Sequence, residues 1–416
     1  MRMLCLLLAM VGSVTAFARA QSATPTLTLA AALAEANARN PEVIAARYQI
    51  DVARAALTAT APNPLQLQVG QGATQDVPQG LGPLQTFTAG ASQEFSPALG
   101  AQRRAAGSGV QITQAQFAAV QRDVDQRVVA AYYGLASAQA VVTAAQQSVS
   151  NAQQLENSAR VRARVGAVGN FEVLRAQVEL RRAQTDLQRA QVNESTAEIG
   201  LNVLLGRSPG AETTVELAPS AIAMPNVEAL YARAQRIDPQ IAQFRAAIDQ
   251  AIAQARAARL QRAPSLGLQG GYLFQRAPSS GGAISRGPTA SVTLSLPLID
   301  FGTIRGAVRE AQARLSVAQA QLEGRNAGLR GEILQDVADL ESAQSRLSFS
   351  KTSLTLAQQG LQLAQFGYNR GALGVLDVLS ARNELAAARS EVTQASADLG
   401  AAVARLQLVT GVPVSP

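Results

Sequence analysis

Apolar and polar positions along the chain follow two periods, and each period occurs twice. From Gly166 to Gly206 small residues recur every seven positions, at Ala176, Ala183, Ala190 and Ala197, with Val173, Leu180 and Leu187 beside them. The segment from Gly371 to Gly411 repeats this without a gap at an offset of 205. Ala381, Ala388, Ala395 and Ala402 fall in the same places, and 13 of the 41 positions are identical. Such spacing puts small side chains on one seam of a helix, where a second helix can approach closely. The seam continues upstream through Val128, Ala131, Leu135, Ala138, Val142, Ala145, Val149 and Ala152, matched by Ile333, Asp336, Leu340, Ala343, Leu347, Ser350, Leu354 and Ala357. Gln102 to Arg164 and Gly302 to Arg370 contain no proline, which predicts a helix of about 95–100 Å in each half. Gly134, Gly324, Gly328 and Gly331 weaken these helices locally.

Ahead of each long helix the period changes to two. Leu65-Gln66-Leu67-Gln68-Val69 alternates as a strand with one apolar face, and Val292, Leu294 and Leu296 alternate against Ser291, Thr293 and Ser295. Strands are predicted at about 65–71, 84–95, 266–274 and 288–298, with Gly/Pro/Ser-rich loops over Gln71–Pro83 and Arg276–Pro288. Phe87, Phe95, Tyr272 and Phe274 lie in or at the ends of these strands, as residues at a membrane boundary do. Shorter helices precede the strands, over Thr28–Ala59 and Val227–Ala263. They are interrupted at Asn40-Pro41 and Asp238-Pro239, each reading as the end of one helix and the cap and first turn of the next.

The chain is thus a tandem duplication, mainly α with a small β part, each half being helix, hairpin, long helix, tip turn, helix. Residues 1–20 read as a signal peptide: Arg2 is the positive start, Leu4 to Val11 the apolar run, Ala18-Arg19-Ala20 the cleavage site, with a cut after Ala18 also acceptable. The first repeat is then 21–206, the linker 207–225, the second repeat 226–411 and the tail 412–416. No stretch of the mature chain has the roughly 18–20 consecutive apolar residues of a membrane helix, so a membrane would be crossed by strands. Four strands cannot close a barrel; two chains supply eight and three supply twelve.

Composition narrows the chemistry. Histidine and tryptophan are absent, and the one cysteine, Cys5, lies in the leader. Cys- or His-ligated metals and His-assisted nucleophiles are therefore excluded. The acids are scattered singly along helices, so no enzyme, metal site or cofactor is expected. The net charge is +7. The arginines are spread at helical spacing without aromatic interleaving, and nucleic acid is not an expected partner.

The duplicated half, the strand-to-helix passage SVTLSLPLIDFGTIRG (Ser291 to Gly306) and the tip turns VGAVGNFEV (Val165 to Val173) and RGALGVLDVL (Arg370 to Leu379) resemble the TolC-like outer membrane efflux proteins. The resemblance covers nearly all of the mature chain. It implies a homotrimer with a 12-strand barrel in the lipid of the outer membrane and a long α-helical barrel in the periplasm. A periplasmic adaptor would join this duct to an inner-membrane pump of RND or ABC type. By position, Val165, Gly166, Ala167, Val168, Gly371, Ala372 and Leu373 would form the adaptor-docking tip, and Asp377, Tyr368 and Glu172 the entrance gate. Two positions depart from the family: Ser380 stands where a second acid can follow Asp377, and Leu373 where an arginine can lock the closed state. The duct of a type I protein secretion system, and an exported structural coiled coil without a transport role, are the alternative readings.

Overall fold

The structure, a computed structural model, describes residues 26–60, 65–74, 84–166, 168–216, 226–277, 283–297 and 301–411. The leader, residues 217–225 of the linker, Ala167 and the tail lie outside these. Twelve elements follow in order: α1 Leu29–Arg39, α2 Pro41–Ala59, β1 Leu65–Thr74, β2 Leu84–Phe95, α3 Pro97–Arg164, α4 Asn170–Leu204, α5 Val227–Ile237, α6 Pro239–Leu260, β3 Ser265–Ala277, β4 Ala283–Ser295, α7 Thr303–Asn369 and α8 Val375–Thr410. The order α-α-β-β-α-α occurs twice.

Both helix breaks fall at the Asx-Pro dipeptides. Asn40 Oδ1 accepts the Glu42 N–H at 2.8 Å, and Asp238 Oδ1 accepts the Ile241 N–H at 2.8 Å, with proline filling the first helical position each time. Asn40 also donates to the Leu204 carbonyl at 2.9 Å, tying the start of α2 to the end of α4. Asp238 is buried, with Arg122 of α3 at 3.0 Å and Arg325 of α7 at 2.6 Å. Burial pushes its carboxyl up, but the hydrogen bonds and charges of the guanidinium groups outweigh this and leave its pKa below the usual value.

The long helices α3 and α7 run unbroken for 68 and 67 residues through their internal glycines. Side-chain packing outweighs the glycine penalty: Val128, Leu135 and Val142, and Ile333, Leu340 and Ala343, are buried on the seam. α3 packs against α4, α6 and α8, and α7 against α6 and α8. One 18-residue window of α3 is apolar enough to suggest a membrane helix, but nearly half of it is buried in this packing. The linker is less independent than its composition suggests. Thr213 and Val215 are buried, Val215 bridges Leu27 in parallel, and the Tyr132 hydroxyl lies 2.9 Å from the carbonyls of Leu27 and Glu216.

The four strands form one antiparallel sheet in the order β1-β2-β3-β4, open at both edges. Strands β3 and β4 reach further into the Arg276–Pro288 stretch than alternation indicates, because Arg276 pairs with Ile284 and Ala277 with Ala283; β4 ends at Ser295 rather than near 298. Strand β1 likewise runs to Thr74. The register sorts the sheet into two faces. Leu65, Leu67 and Val69, then Phe87, Ala89, Ala91 and Phe95, then Leu266, Leu268, Tyr272 and Phe274, then Ala290, Val292 and Leu294 share one face. The other carries Gln66, Gln68, Thr86, Thr88, Ser92, Gln269, Gln275, Ser291 and Thr293. Phe87 pairs with Phe274 at the end away from the helices, and Phe95 with Leu266 at the helix end. The apolar band between these levels is eight residues long, or roughly 20 Å for strands tilted as in membrane barrels.

Two buried carboxyls on the long helices make stability depend on pH. Burial pushes Asp125 up to about 6, against a hydrogen bond from Asn37, and burial together with the charge of Glu332 pushes Asp336 up to about 6. Each folded-state pKa lies above the ordinary 3.8, so the folded chain holds more protons between about pH 4 and pH 6. Stability therefore falls as pH rises through that window, by up to about 3 kcal/mol per group, and the whole cost is present above it. Glu35 and Asp238, whose pKa values are lowered, lose their contribution only below the window. The expected result is a higher midpoint of thermal unfolding near pH 5 than near pH 7.5. The difference should vanish in the Asp125→Asn/Asp336→Asn variant; its persistence would place the titration elsewhere.

Candidate functional site

The tip where each long helix turns back is built the same way twice. Gly166 takes φ 71° and Gly371 φ 76°, a left-handed conformation that L side chains adopt rarely. Gly166 N–H donates to Ala163 O at 3.0 Å and Gly371 N–H to Tyr368 O at 3.1 Å, closing the ends of α3 and α7. A Cβ at either glycine would meet nothing within 4 Å. The requirement is thus the hand of the backbone and not crowding. Gly169 and Gly374 have ordinary extended φ of −79° and −84°, so only one glycine of each turn reverses the chain.

Val165 is 74% exposed, Val168 half-buried and Ala372 exposed, whereas Ala167 lies outside the described residues. Leu373 is turned back toward α7; a Cβ at Gly367 would lie 2.6 Å from its Cδ1, so the helical glycine makes room for it. Two further apolar residues belong to this surface. Phe171 and Leu376 occupy the same position of the two copies and are both exposed, one residue into α4 and α8. Their position off the buried seam was the available signal.

The gate candidates separate. Tyr368 joins the two hairpins: it packs against Val173, Leu155 and Val375 on one side and Val378 and Ala364 on the other, with the Arg162 guanidinium 4.4 Å from its ring centre. Asp377 is exposed in the first turn of α8, where Oδ2 accepts the Gly374 N–H at 2.9 Å. Glu172 is half-buried in the first turn of α4, and its Oε2 has no hydrogen-bond partner. The two acids, equivalent by sequence, are used differently. Among the described residues no group of three or more His, Cys, Asp or Glu side chains comes together.

A sheet with one apolar face and aromatic residues at both levels, carried on helices of 67 and 68 residues, defines a channel protein of the outer membrane rather than an enzyme. The sequence profile of the outer membrane efflux protein family matches residues 32–207 and 230–412, and the chain belongs to that family. It is accordingly an outer-membrane protein with a long periplasmic helical portion. It is 30% identical over 275 residues to protein CyaE of Bordetella pertussis, a match covering 64% of this chain and 58% of CyaE, less than two thirds of that relative. The fold is similar to that of the outer membrane protein VceC of Vibrio cholerae (TM-score 0.76, 19% identity, 92% of this chain and 96% of that one). It is also similar to the MtrE outer membrane channel of Neisseria gonorrhoeae in its open state (TM-score 0.77, 18% identity, 92% and 88%).

Proposed function

We propose that three copies form the exit duct of a tripartite efflux system, receiving substrates from an inner-membrane pump through a periplasmic adaptor. The observation that carries this reading is a pair of surfaces filled in one half of the duplication and open in the other. Helix α6 packs on both α3 and α7, whereas its counterpart α2 packs on α3 and leaves Tyr48 and Val52 more than 60% exposed. Their counterparts at an offset of 198 are Ala246, which is buried, and Gln250, which donates to Ala105 O of α3.

Helix α8 packs on α3 and buries Leu379, Ala397 and Ala404, while the counterparts Leu174, Val192 and Ile199 on α4 are exposed. The sizes are complementary. Within the chain small α8 residues meet large α3 ones: a Cβ at Gly400 would lie 2.3 Å from the Tyr133 ring. Between copies the larger α4 residues Val192 and Ile199 would meet α7 where Val337 and Ala338 replace Tyr132 and Tyr133. A contact of this head-to-tail kind generates rings, and a ring of three closes the open sheet into twelve strands.

In this duct the tips are the periplasmic end. Val165, Gly166, Ala167 and Val168, with Gly371, Ala372 and Leu373, are the adaptor-docking surface, extended by Phe171 and Leu376. Tyr368, Asp377 and Glu172 line the entrance, where three copies of Asp377 make a ring of negative charge. In planar bilayers the assembled protein should form discrete, cation-selective channels. Asp377→Asn keeps an acceptor for the Gly374 N–H and removes the charge, so its cation selectivity should drop. An absence of discrete conductance would sink the duct reading, and unchanged selectivity would leave Asp377 as a helix cap alone.

A further inference from the structure

Helices and sheet meet at one end of the fold. There, between the last turn of α6 and the first two turns of α7, lies a cavity of about 500 Å³ lined by Arg259, Arg262, Arg305, Val308, Arg309 and Gln312. Four guanidinium groups share it, and none of its lining residues is acidic. Glu310, the acid nearest in sequence, is paired with Arg314. Like charges gathered this closely repel one another unless an anion lies among them.

The level of the cavity in the membrane follows from the register. Leu266 and Leu294 are paired at the helix end of the apolar face. Arg262 precedes Leu266 by four residues, and Arg305 stands in the first turn of α7. Phe301, two residues before α7, is 95% exposed. An aromatic side chain at the rim with arginines one turn beyond it is the arrangement found where apolar chains give way to head groups. The feature also belongs to one half only. The positions equivalent to Arg259, Arg262, Arg305 and Arg309 are Ala61, Pro64, Gly100 and Arg104.

We infer that this cavity binds the phosphate of an anionic phospholipid of the periplasmic leaflet, one per chain. The inference rests on the outer-membrane placement of the sheet. Arginine's planar fork pairs two N–H groups with two phosphate oxygens, a geometry that suits a phosphodiester. Occupied, the site would anchor the junction of α6 and α7 at a fixed depth, coupling the seat of the helical barrel to the lipid around it.

The test is native mass spectrometry of the purified, assembled protein with phosphatidylglycerol, phosphatidylcholine and inorganic phosphate as probes. The wild type should retain phosphatidylglycerol over phosphatidylcholine. The Arg259→Gln/Arg305→Gln/Arg309→Gln variant should bind phosphatidylglycerol about a hundredfold more weakly, at about 1 kcal/mol per basic residue. Arg189→Gln, an exposed arginine on α4, should bind it as the wild type does. Oligomeric mass is read in the same spectra, so failure of assembly is distinguished from loss of lipid. If the triple variant does not assemble, Arg305→Gln alone should weaken binding about fivefold. Equal retention by the variant would overturn the inference. So would displacement of the lipid by inorganic phosphate at matching concentration, or a change in ion selectivity with lipid retention intact, which would put the arginines in the lumen.

Discussion

Val192→Glu combined with Ile199→Glu is expected to abolish the oligomer and with it insertion into the outer membrane. Both side chains are exposed on α4 of the single chain, 65% and 44%, so the substitutions remove nothing from its own core. Their counterparts Ala397 and Ala404 are 3% and 1% exposed in one cluster with Tyr132 and Tyr133, which shows how deeply this position is covered where the neighbouring long helix is present. Losing two aliphatic contacts costs about 1.5–3 kcal/mol each, and placing a carboxylate in each site adds a desolvation cost of several kcal/mol. The penalty recurs at every junction of the ring. The open β1 and β4 edges leave a lone sheet with unpaired backbone groups that lipid cannot satisfy, so membrane insertion should fail with assembly. The readout is heat-resistant oligomer on gels and fractionation of the envelope, with circular dichroism confirming that the helices persist. Val192→Leu/Ile199→Leu should assemble normally. Wild-type amounts of oligomer from the glutamate variant would rule out α4 as the contact.

Much of this architecture is legible in the sequence because its causes are local or periodic. A seven-residue seam is set by helix geometry, so Ala176, Ala190, Ala381, Ala388 and Ala395 are buried where spacing puts them. The Asx-Pro breaks need only one side chain and one ring. Features that depend on a partner chosen by the fold are hidden. The extension of β4 back to Ala283 follows from its ladder with β3, across residues whose composition signals a loop. The Val215 bridge to Leu27 and the Tyr132 hydroxyl beside it depend on packing between distant segments. At the tip, the glycine turns are visible as motifs. The Arg162–Tyr368 contact is not, because it joins the ends of two different long helices. The cavity at the other end is likewise scattered over 50 residues of sequence and gathered only by the junction of α6 with α7.

Gly371→Val should abolish export while leaving the oligomer in the outer membrane, with Gly166→Val acting the same way. A β-branched residue at φ 76° is strained by about 1–3 kcal/mol, and since a Cβ there meets no atom within 4 Å, no clash spreads the strain into α7 or α8. The turn relieves it by reshaping. The bond from Gly371 N–H to Tyr368 O and those from Ala372 and Leu373 N–H to Gly367 O then shift, and with them Leu373 and the neighbouring Leu376. Cores above the tip stay intact, because Val375, Leu379 and Ala381 are held by α3 and α7 rather than by the turn. Assembly should therefore be normal while the surface offered to the adaptor is lost. In-cell crosslinking from position 165 separates the steps: the wild type should capture a periplasmic adaptor, and Gly371→Val should not. The kind of pump recovered with that adaptor decides between an efflux system and type I protein secretion. Gly374→Ala is the matched control, since its φ of −84° is open to any residue and its Cβ would meet nothing closer than 3.6 Å. Export at wild-type rates by Gly371→Val, with Gly374→Ala also normal, would show that the shape of the tip turn is not what the adaptor reads.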